Sequence, residues 1–123
     1  MLYPVVSHVA EKLHAYTLPR ERTNTRVKDL PDLALLASVQ GLEALELRTA
    51  IDRTFGFRGT HAIPEQLAAP PASWSTPYEA MAKTDRLIWR KLPDVHRAAA
   101  AFLDPALGGH LVGAWDHERW AWR

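Results

Sequence analysis

Apolar residues recur along this chain mainly at helical spacing, and proline, glycine and capping residues separate the runs. Val6, Val9, Leu13 and Tyr16 fall on one stripe and predict a helix over residues 5–17. Pro4 suits its first turn, and Leu18-Pro19 ends it. Lys12 lies beside the stripe, one turn after His8 and one turn before Tyr16, where a lysine ordinarily lays its stem on the surface. Residues 20–28 carry four cations (Arg20, Arg22, Arg26 and Lys28) against Glu21 alone, and read as an exposed loop.

A second helix is predicted over residues 30–39. Leu30, Leu33, Leu35, Leu36 and Val39 cover most of its circumference, which makes it the expected central helix. Asp29 is its expected N-cap, with Pro31 in the first turn, Asp32 at the capping-box position and Gly41 closing it. A third helix follows over residues 42–55, with Ala44, Leu47, Ile51 and Thr54 inward and Gly56 and Gly59 as its stop. Residues 56–75 show no strong period. One turn of helix is expected at residues 64–68, and Ile63, Leu67 and Trp74 are expected to pack this long loop.

Thr76-Pro77-Tyr78-Glu79 signals a helix start, and the run predicts a fourth helix to residue 92 with Asp85 on its apolar face, bonded to a helix end or an arginine. Asp94 is the expected cap of a fifth helix over residues 95–103, ended by Asp104-Pro105 and Gly108-Gly109. The tail places Trp115, Trp120 and Trp122 around Asp116-His117-Glu118-Arg119, and reads as a short hairpin or an irregular aromatic patch. The fold class is therefore mainly α, a bundle of about five helices with a candidate C-terminal β-hairpin.

Composition narrows the function classes. With 123 residues the chain is about one domain, and 47% hydrophobic and 24% charged residues are ordinary for a soluble globular protein. A net charge of +1 gives no whole-domain case for nucleic acid, while a local basic patch remains open. The absence of cysteine excludes disulfides, thiol catalysis and thiolate metal sites, and suits a reducing cytoplasm, the expected location. No apolar run reaches the roughly 18 residues of a membrane span. Met1-Leu2-Tyr3-Pro4-Val5-Val6 does not read as a signal peptide, and an apolar start of this kind is expected of a cut chain or of one with a partner domain.

Several chemistries lack their motifs. There is no phosphate-binding glycine loop and no His-Glu-x-x-His. None of the six histidines pairs with another at three- or four-residue spacing. The serines lack a nucleophile-elbow context. Asp-x-Asp, a common source of a metal-clamping carboxylate pair, does not occur, and Asp116-His117-Glu118 reads as a solvated turn. Arg58 and His61 are expected to be exposed.

Arg26-Val27-Lys28-Asp29-Leu30-Pro31-Asp32-Leu33 crowds charge onto the mouth of the most apolar segment. Capping explains it: both carboxylates can accept from free helix amides and complement the positive helix end, at about 0.5–2 kcal/mol each. Chemistry also explains it, with one carboxylate facing a cleft as a general base and Lys28 or Arg26 offering charge to phosphate. The two readings are compatible for two different aspartates.

Together these residues resemble a known family. Ala10-Glu11-Lys12-Leu13-His14-Ala15, followed by Lys28-Asp29-Leu30-Pro31-Asp32, is similar to the two downstream motifs of the AbiEii/AbiGii-type nucleotidyltransferase toxins. Tyr3-Pro4, Thr54-Phe55 through Arg58, His61 and Pro64, then Pro70-Pro71, Trp74, Tyr78 and Phe102-Leu103-Asp104-Pro105 fit the same order up to about residue 107. The resemblance implies the helical C-terminal half of an enzyme that transfers a nucleotide from an NTP to an RNA (tRNA) acceptor and pairs with an antitoxin. It implies that Lys12 and Lys28 contact nucleotide phosphate, beside which Arg26 stays a candidate from its charge, that Asp29 is catalytic and that Asp32 orients. The family's upstream Gly-Ser and metal-binding Asp-x-Asp motifs are missing here. Mg²⁺ is therefore expected only for the intact family enzyme, with none held by this chain, which is expected to be a fragment, a truncated product or a split half, inactive by itself. Alternatives from other classes are a non-catalytic module binding RNA or antitoxin through residues 20–28, and a structural remnant in which the acids only cap.

Overall fold

The computed structural model describes residues 4–18, 27–109 and 113–123. Their elements are α1 (Val5–Thr17), α2 (Asp29–Ala37), β1 (Leu42–Glu43), α3 (Ala44–Arg58), a 3₁₀ turn (Ala72–Trp74), α4 (Ser75–Thr84), α5 (Leu92–Leu107), β2 (Ala114–Asp116) and β3 (Ala121–Trp122). The expected five helices and the hairpin are both present, and β1 extends the hairpin into a three-stranded antiparallel sheet of order β1-β2-β3.

Helix α1 packs between α2 and α3, and α2 packs on α5. Val9, Ala10, Leu13 and Tyr16 seat α1; Leu30, Leu33, Ala34 and Ala37 seat α2; Leu47, Ile51 and Phe55 seat α3. Fully burying one such aliphatic side chain stabilises the fold by about 1.5–3 kcal/mol.

Several boundaries depart from the sequence reading for local reasons. Helix α2 ends two residues early, where Ser38 turns both its amide and its hydroxyl onto the Leu35 carbonyl. Gly41 does not close it. A Cβ there would lie 3.0 Å from the Trp115 carbonyl oxygen, so the glycine admits β2 against the α2–α3 connection. Residues 42–43 are consequently a strand and not the start of α3. Helix α3 runs through Gly56 and closes at Gly59, whose φ of 59° is left-handed and whose amide reaches the Phe55 carbonyl.

No turn of helix forms at residues 64–68. The loop is instead fixed by side chains from outside it: Asp104 accepts from the Leu67 amide at 2.7 Å, His96 Nε2 donates to the Leu67 carbonyl at 3.0 Å, and the Tyr16 hydroxyl donates to the Ala68 carbonyl at 2.7 Å. Leu67 and Trp74 are buried and Ile63 is partly so, as expected for a loop packed by its own side chains.

Helix α4 begins at Ser75 out of the 3₁₀ turn, so Thr76 is not its cap. It stops at Thr84, eight residues before the expected end. The Asp85 amide bonds to Met81, the Leu87 amide reaches back to Ala82, and Arg86 sits between them at φ 56°. That is a Schellman stop with arginine in the left-handed position that glycine usually holds, a conformation that costs a side chain about 1–2 kcal/mol. Asp85 is exposed as a result, not on an apolar face, and so is Ile88. Helix α5 starts at Leu92, with Lys91 as its cap residue and Asp94 already inside its first turn. It continues past Pro105 to Leu107, where Arg48 Nη1 donates to the Ala106 and Leu107 carbonyls at 3.0 and 3.2 Å and so satisfies the helix end.

In the tail, Asp116 Oδ1 accepts from the Glu118 and Arg119 amides at 3.0 and 3.1 Å, which closes the turn read at Asp116-His117-Glu118. Gly113 is obligatory, since its φ is 100° and a Cβ would lie 1.8 Å from the Arg123 carbonyl oxygen.

Candidate functional site

The sequence brings one lysine and two aspartates together from separate segments. On α1 the buried stripe leaves Lys12 at its edge, facing the start of α2. Lys28 is already helical (φ −70°, ψ −23°), so the chain enters α2 with Asp29 and Asp32 both in its first turn. Lys12 Nζ lies 2.9 Å from Asp32 Oδ2 and 3.6 Å from Asp29 Oδ1. The Lys12 side chain is 40% exposed, Asp32 24% and Asp29 only 7%. The hydrogen bond that Lys12 donates to Asp32 is the main force holding its ammonium above its ordinary pKa, and it outweighs the opposing desolvation.

This geometry corrects the capping reading. Lys28, not Asp29, is the N-cap residue, and its side chain makes no capping bond. The Asp32 amide is taken by the Lys28 carbonyl at 3.1 Å, so no free amide remains for a capping box there. Both carboxylates still complement the positive helix end. Lys12 is partly exposed, as expected of a lysine beside the stripe, and in addition bridges the two acids.

Two shallow depressions flank the cluster and share Asp32 and Leu35. One, of about 220 Å³, is bordered by His8, Lys12, Leu36 and Val39. The other, of about 290 Å³, is bordered by Lys28, Met81, Asp85 and Leu87. Lys28 is exposed and stands on the second side, away from the Lys12 depression. Arg26, with residues 20–25, lies outside the described residues. The structure therefore joins Lys12, Asp29 and Asp32 and sets Lys28 next to them. The contribution of α4 and the α4–α5 loop was missed, because it depends on α4 stopping at Thr84.

A second polar cluster ties α1 to the end of α3. Arg58 Nη2 donates to Glu11 Oε2 at 2.8 Å, so Arg58 is an ion-pair partner as well as exposed. The Thr17 hydroxyl donates to the Leu13 carbonyl at 2.9 Å and therefore accepts from His61 Nε2 at 2.8 Å. His61 Nδ1 is then the acceptor for the Thr60 hydroxyl at 2.9 Å, and Thr60 accepts from His14 Nε2 at 2.7 Å. Burial lowers the pKa of both imidazoles, and for His14 the neighbouring His61 and Arg58 lower it further. His61 is thus half-buried and bonded, not simply exposed. The signal available beforehand was a threonine one turn after His14 and another beside His61.

Among the described residues, no group of three or more histidine, aspartate and glutamate side chains could hold a metal ion. Asp29 and Asp32 converge on an ammonium, so this cluster does not fit Mg²⁺. Among the same residues no helix is long and apolar enough to cross a membrane.

Fold and site define a helical module built round a carboxylate–lysine cluster at a helix start. The chain belongs to the AbiEii family: the family model described as "Nucleotidyl transferase AbiEii toxin, Type IV TA system" matches residues 1–107. It is thus a member of a nucleotidyltransferase toxin family of type IV toxin–antitoxin systems. No curated protein and no solved structure matches it.

Proposed function

We propose that this chain supplies the phosphate-binding and carboxylate side of a nucleotidyltransferase that moves a nucleotide from an NTP to an RNA acceptor of the tRNA class. The observation that carries this reading is the meeting of Lys12 with Asp29 and Asp32 from two segments 17 and 20 residues apart. Lys12 offers charge to the triphosphate, with Lys28 and Arg26 as further phosphate contacts. Asp29, the most enclosed of the three, receives the proton of the attacking hydroxyl as the oxygen–phosphorus bond forms and pyrophosphate leaves. Asp32 orients Lys12. Positioning and charge stabilisation of this kind are the main needs of phosphoryl transfer.

In this reading residues 1–123 work as one helical unit beside a nucleotidyltransferase core that carries the metal-binding carboxylates. The unit alone does not transfer nucleotides. NTP, RNA and a cognate antitoxin are its partners, and the cytoplasm is where it meets them.

The test is transfer of labelled nucleotide to tRNA by the toxin that carries this unit, compared with its Asp29→Ala variant. Loss of transfer by at least a hundredfold, with the helical circular dichroism retained, is expected. A folded and fully active variant would end the claim for Asp29.

A further inference from the structure

The described residues contain twelve lysines and arginines, and seven of them are ion-paired: Lys12, Arg48, Arg58, Lys91, Arg97, Arg119 and Arg123. Lys28, Arg53, Lys83, Arg86 and Arg90 make no ion pair with a described residue. Three of these five fall in the nine residues 83–91, which a single acid, Asp85, offsets. A fourth, Lys28, borders the same depression as Asp85 and Leu87 of that loop. Among the described residues, unpaired positive charge is therefore concentrated in residues 83–91, and Lys28 shares a depression with Asp85 and Leu87 of that segment.

A second, independent observation concerns the backbone of this segment. Arg86 holds a left-handed φ of 56° at the stop of α4, where glycine would be unstrained. The arginine thus adopts a conformation that its side chain disfavours. Beside it, Ile88 is 81% exposed, an apolar side chain set among cations.

We infer that the segment over residues 83–91, the end of α4 and the loop after it, is with Lys28 the surface that holds the phosphate backbone of a single-stranded RNA end. The choice of RNA rests on the nucleotidyltransferase reading, since the acceptor hydroxyl must reach the carboxylates beside Lys28. The physical fit is direct. Arginines without protein partners present guanidinium forks to phosphate, and an exposed apolar side chain offers a face to an unstacked base. Asp32 and Asp85 keep the floor of the depression between them unfavourable for phosphate, so the backbone follows the rim.

Fluorescence anisotropy of a labelled single-stranded RNA oligonucleotide titrated with the full 123-residue chain tests this without requiring turnover. The Lys83→Ala/Arg86→Ala/Arg90→Ala variant is expected to bind at least tenfold more weakly at low salt. Its slope of log affinity against log salt should be smaller by about 2–3, near the number of cations removed. Arg53→Ala, which removes the remaining unpaired cation on α3, should change affinity less than twofold. Arg86→Gly separates binding from folding: it should raise Tm by roughly 3–6 °C by relieving the left-handed arginine, while still weakening RNA binding. Equal RNA affinity of the triple variant and the unmodified chain overturns the inference, as does loss of affinity with Arg53→Ala alone. Binding of an acidic peptide that RNA does not displace also overturns it, and would make the loop a protein-docking surface. Because the readout is binding, the surface can fail while Asp29 is still required for transfer, and the reverse.

Discussion

Replacing Lys12 with methionine removes one ammonium and keeps most of the apolar stem. Its consequence follows from the different exposure of its two partners. Asp32 faces solvent enough for water to take over much of the lost hydrogen bond, so that contact alone is close to a surface pair, about 0.2–1 kcal/mol. Asp29 is 7% exposed, and removing a cation from beside a buried carboxylate costs far more, up to about 3–5 kcal/mol where burial is complete and nothing else compensates. Lys12 itself is 40% exposed and its longer contact is 3.6 Å, so the expected loss lies between these limits, about 2 kcal/mol near neutral pH. In a double-mutant cycle with Asp32→Asn the two changes should couple by about 1 kcal/mol. The pH dependence has a definite sign. The folded state raises the pKa of Lys12, so its stabilisation is complete below 10.5, the unfolded value, and is lost as pH rises through the raised one. Tyr78, held up to about 12 by burial and by Asp94, loses stability in the same alkaline range, but identically in both proteins. Urea unfolding followed by tryptophan fluorescence, near neutrality and again near pH 11.5, should therefore show the gap between the unmodified chain and Lys12→Met shrinking in alkali. A gap below about 0.5 kcal/mol at neutral pH, or one unchanged in alkali, would show that the ammonium charge does not hold the cluster together.

Trp115→Ala should cost about 3–5 kcal/mol, as for other buried aromatic truncations, because the indole is 2% exposed and its Nε1 donates to the Ala37 carbonyl at 2.8 Å; a urea midpoint lowered with little change in slope is the expected signature. The lowered pKa values of His14 and His61 mean that their contribution is present above pH 6.5 and lost on acidification, so Tm should fall below pH 6.5 more steeply in the unmodified chain than in a His14→Gln/His61→Gln variant.

The helical periods made the bundle legible. Val9, Leu13 and Tyr16, or Leu30 and Leu33, can be buried together only on a helix, and nothing elsewhere in the chain competes with that pattern. What escaped was set by contacts distant in sequence. Pro105 reads as a stop until Arg48, 57 residues earlier, is seen to satisfy the carbonyls that follow it. Thr76-Pro77 reads as a helix start until the 3₁₀ turn at residues 72–74 begins the helix first. Asp29 and Asp32 illustrate the same limit at the candidate site. Their spacing is that of a capping pair, and spacing cannot report that Lys12 lies across from them or that the Lys28 carbonyl already holds the Asp32 amide. The resemblance named Lys12, Lys28, Asp29 and Asp32 as a set, and three of the four meet. Lys28 borders a different depression, one completed by α4, whose early stop no periodicity announced.

The tail connects that site to the rest of the fold in a way the family match alone does not convey. The match ends at residue 107, yet the strands beyond it place three indole N–H groups on helix carbonyls: Trp115 on Ala37, Trp120 on Ala98 and Trp122 on Phe102, each at 2.8–2.9 Å. Trp115 and Trp122 also pack against Phe102, the latter stacked within 2° of parallel. Two of these bonds fall on α5, whereas the Ala37 carbonyl is the last of α2, an end with no glycine cap of its own. The tail therefore does for α2 what Gly41 was expected to do. Helix α2 is nine residues long, too short to persist on its own propensity, so its buried face and the groups that grip its two ends hold it in place. One end is held by Trp115 and the other by Lys12 through Asp29 and Asp32. Beside its packing on α1 and α5, the helix that carries the carboxylates is thus held at its far end by the sheet, which makes residues 113–123 part of the support of the site although they lie outside the matched family segment.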